Sequence, residues 1–313
     1  MYQNIFVNKK DHTVYLWDDK KGLVTFKNKP YAYKKSPNGM YRSMYGDKLE
    51  KVNRYQYEDT GLFESDVPAE TRNLIDLYQD DDEPSTGHCV MNFDIEVSME
   101  GDLPDTEKAN NPVTAIAVNL NWIGKTICIA CKPDTLTKED AQEICDRFPD
   151  TLLMDTEEEL LKTFLELIED ADVMSGWNSE GFDIPYLVNR VTRILGKDYT
   201  RKFCLWDQLP KRREFERYGK AQETYDTIGR LHLDYMQLYQ KYTYHEMHSY
   251  ALDAIGEYEL NERKIAYSGT LDALYNNDFE TFIDYNRQDV ELLVKLDAKL
   301  QFIDLANVIA HDN

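Results

Sequence analysis

Two carboxylates interrupt an otherwise apolar run at Val90-Met91-Asn92-Phe93-Asp94-Ile95-Glu96-Val97. Side chains alternate across a strand, so Asp94 and Glu96 share one face while Phe93, Ile95 and Val97 point the opposite way, into a core. Two acids side by side repel, and their pKa values rise unless a divalent cation between them favours both charged forms. The pair therefore points to a metal, or else to the exposed face of a solvated edge strand.

Two further stretches offer matching groups. Asp183 opens a helix expected over 184–194 that follows a short strand, which can bring its carboxylate to the sheet end where the first pair projects. An acid there also suits the positive end of a helix with no other duty. Nearer the C-terminus, Tyr285 and Asp289 lie four apart on a helix expected over 278–300. They share one face, while Phe282, Val290, Leu293 and Val294 seat the helix on a core. Alone, such a pair can be a hydrogen-bonding rim. Together the three stretches supply four acids and a phenol.

The elements that must position them fall into two regions. Residues 1–75 read as short strands at 4–7, 13–17, 23–27, 30–34 and 40–45, punctuated by the turn chemistry of Asp18-Asp19-Lys20-Lys21-Gly22 and Ser36-Pro37-Asn38-Gly39. Within them Tyr31, Tyr33, Lys34, Lys35, Tyr41, Arg42 and Tyr45 form an aromatic and basic cluster, suited to stacking single-stranded nucleic acid or to filling a core. Residues 76–87, with Asp80-Asp81-Asp82-Glu83-Pro84, read as a solvated linker. This divides the chain into a β-rich domain of 1–88, including its acidic linker, and a second domain of 89–313. After Val90 the pattern is α/β. Strands at 90–98, 113–120 and 126–131 are close enough to be antiparallel neighbours. Helices over 138–148, capped by Thr137, and 157–170 then alternate with a strand at 172–175, which predicts a mixed sheet flanked by helices.

Composition narrows the setting. The 313 residues are 42% hydrophobic and carry 36 Lys and Arg against 58 Asp and Glu, a net charge of −22. Such a chain is globular and is not built to wrap duplex DNA or to lie on an anionic membrane. Five cysteines suggest free thiols in a reducing compartment, and Cys128-Ile129-Ala130-Cys131 has no partner set to complete a zinc site, so it reads as packing. No stretch approaches the ~20 apolar residues that span a bilayer, which predicts a soluble, cytoplasmic chain without membrane partners.

The stretches Phe93-Asp94-Ile95-Glu96, Trp177-Asn178-Ser179-Glu180-Gly181-Phe182-Asp183 and Tyr285-Asn286-Arg287-Gln288-Asp289 resemble the three exonuclease motifs of family B DNA polymerases, most closely the T-even-like bacteriophage type. Ile184 to Arg190 and Leu233-Asp234-Tyr235 before Ser249-Tyr250-Ala251-Leu252 fit the same subgroup. The resemblance implies an RNase H-like fold and a 3′→5′ exonuclease of the DEDDy type. It implies that Asp94 bridges two Mg²⁺ or Mn²⁺ ions, that Glu96 and Asp289 complete the first site, that Asp183 holds the second through water, and that Tyr285 orients the attacking water. Asp284 stands where the His variant of the family would carry its histidine. The physics agrees, because phosphodiester hydrolysis is served by two ions about 4 Å apart, and oxygen ligands suit hard cations. The implied product is a nucleoside 5′-monophosphate from a single-stranded 3′ end.

The resemblance also places Asn178 and Phe182 at the DNA. The densest basic stretch, Lys211-Arg212-Arg213-Glu214-Phe215-Glu216-Arg217-Tyr218-Gly219-Lys220, falls where those polymerases carry a β-hairpin that separates primer from template. Lys211, Arg212, Arg213, Arg217 and Lys220 could contact phosphates there, or belong to a salt-laced surface loop. No palm, fingers or thumb motifs follow. The expected partner is therefore a polymerase core, either a separate subunit or the C-terminal remainder, in the cytoplasm of an infected bacterial cell. The alternative function is a non-catalytic module that docks that core.

Overall fold

The computed structural model of the chain describes residues 1–56, 59–81, 83–101, 103–217 and 219–312. The chain forms two compact units, Met1–Thr86 and another that begins at Gly87. In the first, β1 (Tyr2–Asn8), β2 (Thr13–Asp18) and β3 (Gly22–Lys27) make an antiparallel meander. A second sheet holds β4 (Ala32–Lys35), β5 (Tyr41–Arg42), β6 (Lys48–Val52) and β7 (Leu62–Phe63). The strand expected over 40–45 is reduced to two residues, because the chain turns at Gly46 with φ +85°.

A helix, α1 (Ala69–Tyr78), occupies a stretch expected to be loop and linker. Pro68 precedes it without a side-chain cap, and its buried residue is Arg72, while Ile75 and Leu77 are exposed. The helix is therefore seated by an ion pair rather than an apolar stripe. Arg72 donates to Glu64 Oε2 at 2.7 Å and lies over the Tyr31 ring at 4.4 Å. Tyr31 is thus part of the packing.

The second unit is built on a six-stranded sheet. Its strands are β8 (Val90–Val97), β9 (Val113–Leu120), β10 (Lys125–Cys131), β11 (Thr151–Met154), β12 (Val173–Gly176) and β15 (Leu231–Asp234), in the order β11-β10-β9-β8-β12-β15. β8, β9 and β10 run antiparallel as their close spacing requires, whereas β12 joins β8 in parallel and β15 joins β12 in parallel. A separate antiparallel hairpin, β13 (Lys211–Arg217) with β14 (Lys220–Asp226), lies in the basic stretch.

Helices cover both faces. On one, Phe93 and Ile95 of β8 pack with Leu160, Leu161 and Phe164 of α3 (Glu157–Leu167) and with Ile184, Leu187 and Val191 of α4 (Asp183–Ile194). On the other, Ala115, Cys128 and Ala130 pack with Ala141 and Cys145 of α2 (Lys138–Cys145), Leu274 of α7 (Leu271–Asn277), and Phe282 and Ile283 of α8 (Phe279–Leu300). Thr137 caps α2 by accepting from Asp140 N, and Asp278 caps α8 by accepting from Thr281 N. Around the sheet's end, α5 (Tyr235–Tyr242), α6 (Leu252–Leu260) and α9 (Phe302–Asp312) close a third cluster through Tyr239, Ile255 and Phe302. This mixed sheet between helices, in a chain that also holds a β-rich unit, is the fold class that the RNase H-like resemblance implied. Cys128 is core, its thiol pushed up to about 12 by burial. Among the described residues, no helix is long and apolar enough to cross a membrane.

Candidate active site

Strand alternation puts Phe93 and Ile95 into one core and leaves Asp94 and Glu96 facing α8. Helix α8 returns Tyr285 and Asp289 from one face. Carboxylate oxygens of Asp94, Glu96 and Asp289 lie within 4.8 Å of one another. Asp94 is half-buried, and Glu96 and Asp289 are almost wholly buried. Asn286, one turn before Val290 on the same helix, donates to Asp94 Oδ2 at 3.4 Å.

Asp183 arrives from the other side. It opens α4 and accepts from the backbone N–H of Ile95 at 3.3 Å, between the two strand acids. It stands outside the tight trio, yet its charge reaches both Asp94 and Glu96.

Four acids packed this way are hard to ionise together. Burial, then the neighbouring charge of Asp289, pushes Glu96 up to about 8. Burial drives Asp183 up to about 7. Asp94 is held well above the usual carboxylate range by burial and then by Asp289, Glu96 and Asp183. Asp289 is raised by burial even though Lys264 opposes the shift.

Lys264 is the group that reading the sequence missed. Its ammonium ion-pairs with Asp289 Oδ2 and donates to the Tyr285 hydroxyl at 3.2 Å. Its backbone N–H is fixed by Asp253 Oδ1 at 2.8 Å. Burial alone would lower its pKa, but Asp289 and Asp94 more than offset that and push it up, so it stays charged. The same loop packs Tyr267 edge-on against Tyr285, centroids 5.2 Å apart. No periodicity links a loop lysine to an aspartate on the next long helix; the only sequence signal was Arg263-Lys264 standing in an acidic chain.

Asp234, which the sequence offered only as part of the resembling stretch Leu233-Asp234-Tyr235, has a role that was not expected, although its position after a strand and before a helix suits an N-cap. It accepts from Met236 N at 3.0 Å, from Asn178 N at 3.0 Å and from Glu180 N at 3.2 Å. It thereby pins the β12–α4 loop. Asn178 takes φ +63°, and a Cβ on Gly176 would meet Ser179 Cβ at 2.8 Å.

The expected DNA contacts are spread unevenly. Asn178 lines a cleft with Asp94, Trp177, Gly181, Gln222 and Lys264. Phe182 is half-buried and stacks on Tyr186 at 5.3 Å, so part of its ring serves the core. Lys211 is exposed. Arg212 pairs with Glu223, and Arg213 pairs with Glu180 and Asp226. The side chains of Arg217 and Lys220, and Tyr218 altogether, lie outside the described residues.

The oxygen-only donor set fits a hard divalent cation. Asp289 Oδ1 is in addition a buried acceptor that meets no donor among the described residues. A stability measurement follows. Because Glu96 and Asp183 have folded pKa values above their ordinary 4.5 and 3.8, the stability they contribute is fully present below those ordinary values and is lost as pH rises through about 8 and about 7. A cation should reverse this loss. Mn²⁺ or Mg²⁺ at saturation should raise the melting temperature by about 5 °C at pH 8.5 and by less than about half of that at pH 6, where protons compete. A pH-independent shift in a thermal melt would contradict the site.

Comparison with known proteins accords with this geometry. The profile of "DNA polymerase family B, exonuclease domain" matches residues 55–255. The chain belongs to that family. It is 31% identical over 239 residues to the DNA-directed DNA polymerase of Escherichia phage RB69, covering 69% of this chain and 26% of that protein. It is 33% identical over 169 residues to the DNA-directed DNA polymerase of Enterobacteria phage T4, covering 53% and 19%. DNA polymerase 1 of Sulfurisphaera ohwakuensis is 24% identical over 264 residues, covering 82% and 26%. The chain thus spans about a quarter or less of the length of these relatives.

Proposed function

We propose that this family B exonuclease domain is a DEDDy 3′→5′ exonuclease that proofreads for a phage DNA polymerase, acting on single-stranded DNA 3′ ends in the infected host's cytoplasm and working with a polymerase core. The observation that carries the reading is the meeting of Asp94, Glu96 and Asp289 oxygens within 4.8 Å beside Tyr285, with Asp183 at Ile95. Asp94, Glu96 and Asp289 would hold one Mg²⁺ or Mn²⁺, and Asp94 with Asp183 a second. Such ions, when bound, offset phosphate charge and make hydroxide available at neutral pH.

The chain's own groups divide the remaining work. Burial keeps the Tyr285 phenol well above its ordinary value, so it stays protonated and can orient water without serving as a base. Lys264 holds the phenol oxygen and Asp289 together, and its charge offsets part of the negative charge that the four acids would present to an approaching phosphate. Asn178 and the cleft wall around it would receive the terminal nucleotide. Exposed Lys211 suits a backbone phosphate, and the same is proposed for Arg212, Arg217 and Lys220.

The test uses the purified chain with a 5′-labelled single-stranded oligodeoxynucleotide, Mg²⁺ or Mn²⁺, and an EDTA control. The expected result is a ladder shortening from the 3′ end that requires the ion, with nucleoside 5′-monophosphates as products. An intact oligonucleotide under both ions, together with stable binding of a polymerase core, would favour the docking-module reading instead.

A further inference from the structure

The β13–β14 hairpin stands outside the six-stranded sheet, so its place over the cleft depends on side-chain packing and ties. Tyr225 packs against the core and donates its hydroxyl hydrogen to Asn189 Oδ1 of α4 at 2.7 Å. Another tie reaches the loop that carries the chemistry. Arg213 donates through Nε to Asp226 Oδ1 at 2.8 Å across the hairpin, and through Nη2 to Glu180 Oε1 in the β12–α4 loop. The Glu180 side chain is only 12% exposed, and its other oxygen accepts from Gln237 Nε2. Its own N–H donates to Asp234 Oδ2, the carboxylate that also fixes Asn178 N. Burial alone would push the Glu180 carboxyl up, but Gln237 and Arg213 more than offset that, so it stays charged. Beyond this tie, Gln222 of β14 forms part of the cleft wall with Asp94, Asn178 and Gly181, and its Oε1 is buried with no donor among the described residues.

We infer that Arg213 and Glu180 form a latch that sets the hairpin's position against the cleft, and that both are positioning residues rather than DNA ligands. With two carboxylates on Nε and Nη2, the guanidinium is locally neutralised, which weakens any attraction to phosphate. The latch joins the hairpin to the same loop that delivers Asp183, so the wall that meets a 3′ terminus and the acid beside it move as one body. This rests on the exonuclease reading above. A paired 3′ end must be opened before it can enter, whereas a single strand need not be, so a loose hairpin penalises the paired end more.

The experiment compares the full chain with Glu180→Gln, Arg213→Met and the double variant. Cleavage is timed on a single-stranded oligonucleotide and on a blunt duplex, and amide hydrogen exchange is followed across 211–226. Each single variant should lower the duplex-to-single-strand rate ratio by about tenfold, and the double variant should be no worse than either. Exchange in the hairpin should rise in all three. A phosphate-binding Arg213 predicts the opposite pattern: Arg213→Met weakens DNA binding, Glu180→Gln binds DNA as well as or better than wild type, and that result overturns the latch. If wild type cleaves neither substrate, the exonuclease reading fails, while the exchange data still decide the latch: unchanged hairpin exchange in both single variants refutes it.

Discussion

Asp94→Ala should slow release of mononucleotides from a single-stranded 3′ end by about a thousandfold or more in single-turnover assays, without unfolding the chain. Asp94 sits where β8 and α8 meet, within reach of Glu96 and Asp289, and is the one member of the trio that is half-open to the cleft. No other side chain can take its place, since Phe93 and Ile95 face the opposite core. Its folding contribution is unfavourable: burial, then the charges of Asp289, Glu96 and Asp183, raise its pKa. Removing one repelling charge should leave the metal-free melting temperature equal to or above that of wild type, while the ion-induced shift shrinks. Activity within tenfold of wild type would remove Asp94 from the site; lost activity with a lowered melting temperature would point to misfolding instead.

The second large effect should come from a buried residue outside the cleft lining. Asp234→Ala should cost about 3 kcal/mol of stability and lower the cleavage rate by about a hundredfold. Its carboxylate accepts from three backbone N–H groups, of Asn178, Glu180 and Met236, in a buried setting where each orphaned donor is costly. Without it, Asn178 loses an anchor that supports its left-handed conformation, and the loop that delivers Asp183 relaxes. Asp234→Asn keeps one acceptor oxygen and should fall in between. Denaturant titration beside rate measurements checks this: a destabilisation below about 1 kcal/mol would mean that the loop is held by other means.

The parts of the site that could be read from the sequence are those fixed by short periods. Asp94 and Glu96 had to share a face because a strand repeats every two residues, and Tyr285 and Asp289 because a helix returns after four. That Asp183 reaches Ile95 depends on β12 lying beside β8 in parallel, a crossover that no local pattern specifies. Lys264 and the role of Asp234 were missed because their partners come from the tertiary fold. Helix α1 escaped for a different reason: it buries Arg72 and exposes Ile75 and Leu77, the reverse of the pattern that marks a helix. The basic stretch was legible as a hairpin only through resemblance, and the salt-laced reading of it did not say which acids Arg212 and Arg213 would meet, since Glu180 comes from another element.

Lys264 has a consequence for how the protein matures. A ring of acids normally needs an ion from solution before it can close, which ties folding to the supply of that ion. Here the chain brings its own cation to Asp289. Under the metal-dependent reading proposed above, folding and arming would then be separate events: the chain could complete its structure before an ion arrives, and that ion would have to displace the tethered ammonium from Asp289.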